Sequence, residues 1–196
     1  MGKIVYLMGK SCAGKNTVFQ KLLEEEIHLK TIIPYTTRPI RAGETDGVEY
    51  HFTDEAGFRQ MERAGRVIES RTYHTAHGKW IYFTAADETI DLERHSYLMI
   101  GTLDSFVQVK EYFGVTKLLP VMIELDDGKR LQRALERERS QETPRYEEMC
   151  RRFLADSEDF RADKVADAGV TKTFSSHDLS GCLAQIRAYM RQMEAV

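Results

Sequence analysis

The chain has little cysteine: Cys12, Cys150 and Cys182 stand far apart and form no C-x-x-C pair. This excludes a disulfide framework and a structural zinc site, and it fits a reducing compartment, the cytoplasm. No stretch approaches the roughly 18 consecutive apolar residues of a membrane-spanning helix. The segment from Met1 to Met8 is too short, and too soon followed by Gly9 and Lys10, to read as a secretory leader. A surplus of charge is missing as well. Against 31 acidic residues stand 28 basic ones, a net charge of -3, so no global field favours nucleic acid or an anionic membrane surface. There is no internal repeat, no low-complexity tract and no Ser, Cys or His triad arrangement. His74 and His77 lie three apart, but no third ligand follows at a metal-site spacing. With 196 residues, 42% of them apolar, the chain suits one soluble α/β domain with an insertion or two.

What is present begins with Gly9-Lys10-Ser11-Cys12-Ala13-Gly14-Lys15-Asn16-Thr17, directly after the apolar run Ile4 to Met8. The spacing of Gly9, Gly14 and Lys15 reads as a phosphate-binding loop. Glycine backbone approaches phosphate oxygens there, and the lysine reaches toward the terminal phosphates at a helix N-terminus. A nucleoside triphosphate is the expected first substrate. The usual loop places Ser or Thr directly after the lysine to hold magnesium, whereas here Asn16 stands there and Thr17 follows one residue late. An amide oxygen is the poorer ligand, so Mg²⁺ is expected to be held largely through water, with Thr17 as its weak protein contact. Cys12 reads as a space-filling loop residue.

The pattern Val18, Leu22, Leu23 predicts an amphipathic helix from Lys15, and Thr31 to Ile33 a second short strand. Pro34, Pro39, Gly43 and Gly47 then break any long element. A short helix is expected around Phe58 and Met61, and Val67 to Tyr73 with Trp80 to Thr84 predict a small antiparallel sheet. Residues 34–88 read as an inserted subdomain. Tyr97 to Ile100 and Leu118 to Leu125 suit buried parallel strands, joined by a helix marked by Phe106, Val109, Tyr112 and Phe113. Asp104 reads as the N-cap of that helix. The Arg- and Glu-rich stretch from Lys129 to Phe160 predicts two helices broken near Ser140 to Pro144. Lys172 to Phe174 suits a last strand, and Leu183, Ile186, Tyr189, Met190 and Met193 mark a C-terminal helix.

The second constellation is Tyr35-Thr36-Thr37-Arg38-Pro39-Ile40-Arg41-Ala42-Gly43-Glu44, continuing through Asp46-Gly47 to Tyr50 and Phe52. Guanidinium groups offer planar forked donors suited to phosphate, which a tyrosine hydroxyl can complete. Taken together, the phosphate loop, the T-T-R-P-x-R-x-G-E-x-x-G-x-x-Y stretch and Val67-Ile68-Glu69 resemble the guanylate kinase family of P-loop nucleoside monophosphate kinases over most of the chain. The resemblance implies a three-layer α/β fold with a parallel central sheet, an inserted NMP-binding subdomain and a helical lid. Its parts would be a core of 1–33, 89–128 and 161–196, the NMP-binding insertion 34–88, and the lid with its following helix 129–160. It further implies that Arg38, Arg41 and Tyr50 grip the acceptor phosphate and that Glu69 bonds the guanine edge. A carboxylate suits guanine because it accepts from both the ring N–H and the exocyclic amine.

Several positions depart from the family pattern. Tyr82-Phe83-Thr84 replaces a tyrosine, glycine, small-hydroxyl signature and lies farther from Glu69 than usual; Tyr82 would bind phosphate and Thr84 the base. Pro34 and Tyr35 stand where a serine is usual. The L-D-I-D strand becomes Leu98-Met99-Ile100-Gly101, without either aspartate. Leu135, Arg137 and Arg139 resemble the lid signature, and Arg151-Arg152 with Glu158 the K-R motif and its glutamate. Arginines closing over a transferring phosphoryl group stabilise its charge. Ser176-His177-Asp178 replaces an Asn-Asp pair near the adenine site.

The expected activity is transfer of the γ-phosphoryl of ATP, with Mg²⁺, to a nucleoside monophosphate, GMP giving GDP, with Lys15, Arg137, Arg139 and Arg151 as the catalytic residues. One alternative is another acceptor, a different nucleotide or a sugar phosphate. The other is a noncatalytic protein-binding module, against which Gly9, Gly14 and Lys15 argue. Neither nucleic acid nor membrane is an expected partner, and no assembly state is implied.

Overall fold

The computed structural model describes residues 2–26, 28–41, 43–75 and 78–194; His77 and the side chain of Met193 lie outside the described set. Its central sheet is parallel, in the order β2 (Leu29–Thr31), β7 (Ser96–Ile100), β1 (Ile4–Met8), β8 (Leu118–Glu124) and β9 (Thr173–Ser175). The period of two divides β1 between two cores. Val5 and Leu7 join Leu98, Leu119, Val121 and Ile123 on one face, while Ile4, Tyr6 and Met8 join Tyr97, Met99 and Met122 on the other. Strands apolar on both faces need a layer on each side. Helices α1 (Lys15–Glu25) and α7 (Leu179–Glu194) cover the first face through Val18, Leu22, Leu183, Ile186 and Met190. Leu103, Phe106 and Val109 of α3 (Leu103–Phe113) cover the second, with Phe160, Ala168 and Val170 around α6 (Ala162–Asp167).

A second sheet, ordered β4 (His51–Phe52), β3 (Tyr35–Thr36), β6 (Gly78–Ala85) and β5 (Val67–Thr75), is built from the chain between β2 and β7. Helix α2 (Glu55–Arg63), capped by Asp54 Oδ1 accepting from the Gly57 N–H at 2.7 Å, packs Phe58 against Ile81, Phe83 and Ala85. In the β5–β6 ladder Glu69, Arg71 and Tyr73 oppose Thr84, Tyr82 and Trp80. By the same period these six share the face turned away from Ile81 and Phe83. Helices α4 (Asp127–Arg139) and α5 (Tyr146–Asp159) follow β8 and pack on one another.

Two expectations need correction. The strand expected at Thr31 to Ile33 lies at Leu29–Thr31, because pairing with Ser96 to Leu98 fixes it; Ile32 is buried beyond the strand end. The α3 cap is Thr102, not Asp104. The Thr102 hydroxyl accepts the Ser105 N–H at 3.2 Å and Ser105 Oγ accepts the Thr102 N–H at 3.0 Å, a reciprocal box that leaves Asp104 in the first turn, bonded to Gln108. No helix among the described residues is long and apolar enough to cross a membrane.

Candidate active site

The glycine loop leaves the carboxyl end of β1 and enters α1. Gly9 has φ 143°, and a Cβ there would stand 2.3 Å from the Ile123 carbonyl oxygen, so the loop lies against β8 at a distance only glycine allows. Lys15 Nζ folds back over it, donating to the carbonyls of Gly9 at 2.7 Å and Lys10 at 3.0 Å. Burial lowers the Lys15 pKa, opposed by the nearby Asp156 charge. Cys12 is left-handed at φ 60°. Asn16 and Thr17 are exposed on the first turn of α1. The buried Ser176 hydroxyl donates to the Ala13 carbonyl and ties the loop to the end of β9.

The motif reading does not single out two residues that hold this loop. Arg130 is 1% exposed; its Nε donates to the Ser11 carbonyl at 3.0 Å, and its Nη atoms pair with Asp127 and, at 3.0 Å, with Asp156. Its guanidinium lies 4.8 Å from the Phe153 ring centre. Asp156 in turn accepts the Ser11 N–H at 2.8 Å and the Ser11 hydroxyl at 3.3 Å. A carboxylate therefore sits on a loop amide. The only local hint is the i,i+3 spacing of Asp127 and Arg130 within a run of similar arginines. Beside this network a cleft of about 400 Å³ opens at the carboxyl end of β8, lined by Lys10, Ala13, Leu125, Arg130, Phe160 and Ser175 among others. Open parallel sheets bind ligands at that edge.

Of the expected lid arginines, Arg137 lines a small cleft with Ser11, Cys12 and Arg152, beside the loop. Arg139 is exposed in the last turn of α4. Arg151, on α5, pairs with Glu148 at 2.7 and 2.8 Å, and Arg152 reaches the same carboxylate at 2.7 Å. These hydrogen bonds, Arg151's above all, hold the Glu148 carboxyl down at about 2.

On the second sheet the structure gathers Arg38, Tyr50 and Tyr82. Arg38 is 3% exposed, lies 5.1 Å from the Tyr50 ring centre and 5.3 Å from that of Phe52, and donates to both Glu44 oxygens, from Nη1 at 2.7 Å. Glu44 also accepts the Arg41 N–H at 2.8 Å, while the Arg41 side chain is exposed. Tyr82 stands 5.6 Å from Tyr50 and 5.6 Å from Tyr73, edge to face. Glu69 is 2% exposed, takes the Thr84 hydroxyl at 2.8 Å and pairs with Arg71 Nε at 3.2 Å. Burial pushes its carboxyl upward in pKa, with Arg71 and Thr84 opposing. Beneath them the place of the missing aspartate is filled: a Cβ on Gly101 would fall 2.0 Å from Tyr6 Oη. That hydroxyl is bonded to Ser105 Oγ at 2.6 Å, and burial raises its pKa. Among the described residues no group of three His, Cys, Asp or Glu side chains is placed to hold a metal.

A family model described as guanylate kinase matches residues 1–160. Guanylate kinase from Nitrosomonas europaea is 39% identical over 98 residues, 47% of this chain and 49% of that protein. Guanylate kinase from Oceanobacillus iheyensis is 36% identical over 115 residues, 57% and 53% of the two. The chain spans about half the length of these curated relatives. The crystal structure of guanylate kinase from Anaplasma phagocytophilum shares the fold with a TM-score of 0.65 at 18% identity, covering 97% of this chain and 85% of that one.

Proposed function

The chain belongs to the guanylate kinase family, and on that premise we propose that it transfers the γ-phosphoryl group of ATP to a nucleoside monophosphate, GMP giving GDP. The observation that carries this reading is the presence of two separate phosphate-suited sets. The loop with its half-buried Lys15 follows β1 of the parallel sheet, and the Arg38, Tyr50 and Tyr82 cluster lies at the second sheet beside the Glu69 and Thr84 pair. A hydrolase or a switch needs the first set alone; transfer needs both.

In this reading Lys15 and the loop amides hold the donor phosphates, and Arg38, Arg41, Tyr50 and Tyr82 the acceptor phosphate. Glu69 and Thr84 stand at the base end, and the lid arginines Arg137, Arg139 and Arg151 meet the charge that develops on the transferring group. No protein nucleophile is required, because in-line positioning and electrostatic stabilisation suffice. Magnesium bound with the nucleotide would supply charge neutralisation on the phosphates. The exposed Thr17 hydroxyl and Asn16 amide on the first turn of α1 fit such an ion held through water.

Incubating the purified protein with ATP and a panel of nucleoside monophosphates and sugar phosphates tests the reading, with GDP from GMP as the expected product. The pairing of Arg71 with Glu69 and the Gly101 substitution favour a second reading, a changed acceptor. Turnover of another acceptor with none of GMP would establish it. Failure to bind ATP in calorimetry would instead leave a noncatalytic binding module.

A further inference from the structure

The base end of the acceptor site contains a charge that the family pattern does not predict. The Glu69 side chain is 1% exposed, and a carboxylate has about four lone-pair sites. Thr84 Oγ1 occupies one at 2.8 Å, and Arg71 approaches two more, from Nε at 3.2 Å and from Nη2 at 3.5 Å. Too little acceptor capacity remains for both the ring N–H and the amine of guanine. Arg71 is the more accessible partner, with its side chain 20% exposed. It sits opposite Tyr82 in the ladder, on the face that carries Tyr73, Tyr82 and Thr84. A ligand entering along that face meets the guanidinium before the carboxylate.

With two of its five N–H groups turned to Glu69, the guanidinium keeps three donors and no acceptor. A 6-oxopurine presents two acceptors side by side, O6 and N7, the edge that arginine pairs with in a bidentate fashion; a 6-aminopurine replaces one of them with a donor. We propose that Arg71 is the specificity-determining residue of the acceptor base site. Held by Glu69, its guanidinium donates to O6 and N7 of a 6-oxopurine, so that the site takes GMP and IMP alike. This rests on the nucleoside monophosphate reading above. Glu69 is then a positioning residue that acts through Arg71, and the 2-amino group of guanine goes unread.

The test is kcat/KM at saturating ATP for GMP, IMP and AMP, in the parent and in Arg71→Lys and Glu69→Gln. In the parent, GMP and IMP should agree within about tenfold and AMP should be worse by about 100-fold. Arg71→Lys keeps a cation against Glu69, and so the fold, but loses the fork. Both the GMP to AMP and the IMP to AMP ratios should fall roughly 10- to 100-fold, whereas a purely structural role would lower all three acceptors equally. Glu69→Gln should lower GMP and IMP together. A parent that prefers GMP over IMP by more than about 100-fold overturns the proposal and leaves the kinase reading intact, since the amine is then read. Unchanged ratios in Arg71→Lys, or a Glu69→Gln loss confined to GMP, do the same. Turnover of neither GMP nor IMP overturns both readings.

Discussion

Removing the Asp156 carboxylate should make the protein less stable and its grip on ATP tighter. This carboxylate accepts from the Ser11 N–H at 2.8 Å and pairs with Arg130, whose side chain is 1% exposed. Asp156→Ala strips a buried guanidinium of its inner partner and leaves Asp127, itself 54% exposed, as the remaining one. Breaking a buried pair by deleting one member costs about 3–5 kcal/mol. With Asp156 still 15% exposed, the lower end applies, about 3 kcal/mol. For a chain of this length that is a fall in Tm of roughly 6–12 °C.

The effect on ligand runs the other way. Loop amides are what a triphosphate binds, so in the parent ATP must displace an anion already seated on one of them. A charge-assisted hydrogen bond is worth about 1.5–3 kcal/mol net, and freeing the amide at the lower end of that range tightens ATP roughly tenfold. Differential scanning fluorimetry with and without ATP, backed by calorimetry, reads both quantities in one experiment. Arg130→Met is the counterpart: it leaves Asp156 uncompensated beside the loop and should lower stability and ATP affinity together. Weaker ATP binding in Asp156→Ala would refute the reasoning, because the carboxylate would then be shaping the loop for the nucleotide.

Gly101→Ala places a methyl 2.0 Å from Tyr6 Oη and 2.7 Å from Ser105 Oγ. It should cost about 1–3 kcal/mol as overpacking, with part of the loss recovered when Tyr6→Phe is added, since Ser105 Oγ stays close; strictly additive melting temperatures would show that the phenol is not the obstacle. The Glu44 carboxyl, held by its bonds from Arg38, has a folded pKa of about 2 against an ordinary 4.5. A depressed pKa stabilises above the unfolded value and is lost as pH falls through the folded one. The Tm difference between the parent and Glu44→Gln should therefore be constant from about pH 8 to 5 and shrink between about pH 4.5 and 2. A difference that survives at the acid end contradicts the pairing. Asn16→Ser restores a hydroxyl after the loop lysine and should tighten the Mg²⁺ dependence of ATP turnover. An unchanged Mg²⁺ titration would mean that Asn16 does not weaken the metal contact.

The frame is legible in the sequence wherever burial alone dictates it. A run such as Ile4 to Met8, short, apolar at both parities and followed by a glycine loop, reads as a strand between two layers, and the residues after it open a helix. Legibility fails where long-range pairing decides. Ile32 is as apolar as a strand residue, but hydrogen bonding to Ser96 to Leu98 ends the strand before it. The candidate site shows the same division. Arg38, Tyr50 and Tyr82 are named by a motif that resemblance supplies, and Glu44, the partner of Arg38, lies only six residues on; the contacts that brace the glycine loop and the room beside Gly101 are instead far apart in sequence, Ser11 145 residues from Asp156 and Tyr6 99 from Ser105. No local period carries such contacts.

Read along the chain, the glycine at 101, the tyrosine at 6 and the arginine at 71 are three unrelated departures. In space they adjoin, since the Tyr6 hydroxyl fills the room beside Gly101 and feels the charges of Glu69 and Arg71. An aspartate at 101 would have no room beside that phenol, and it would add a second buried negative charge near Glu69. With Arg71 supplying the positive partner instead, the Glu69 pair is neutral before any acceptor arrives. An incoming base then need not neutralise a buried carboxylate; it needs only to offer acceptors to a guanidinium already in place.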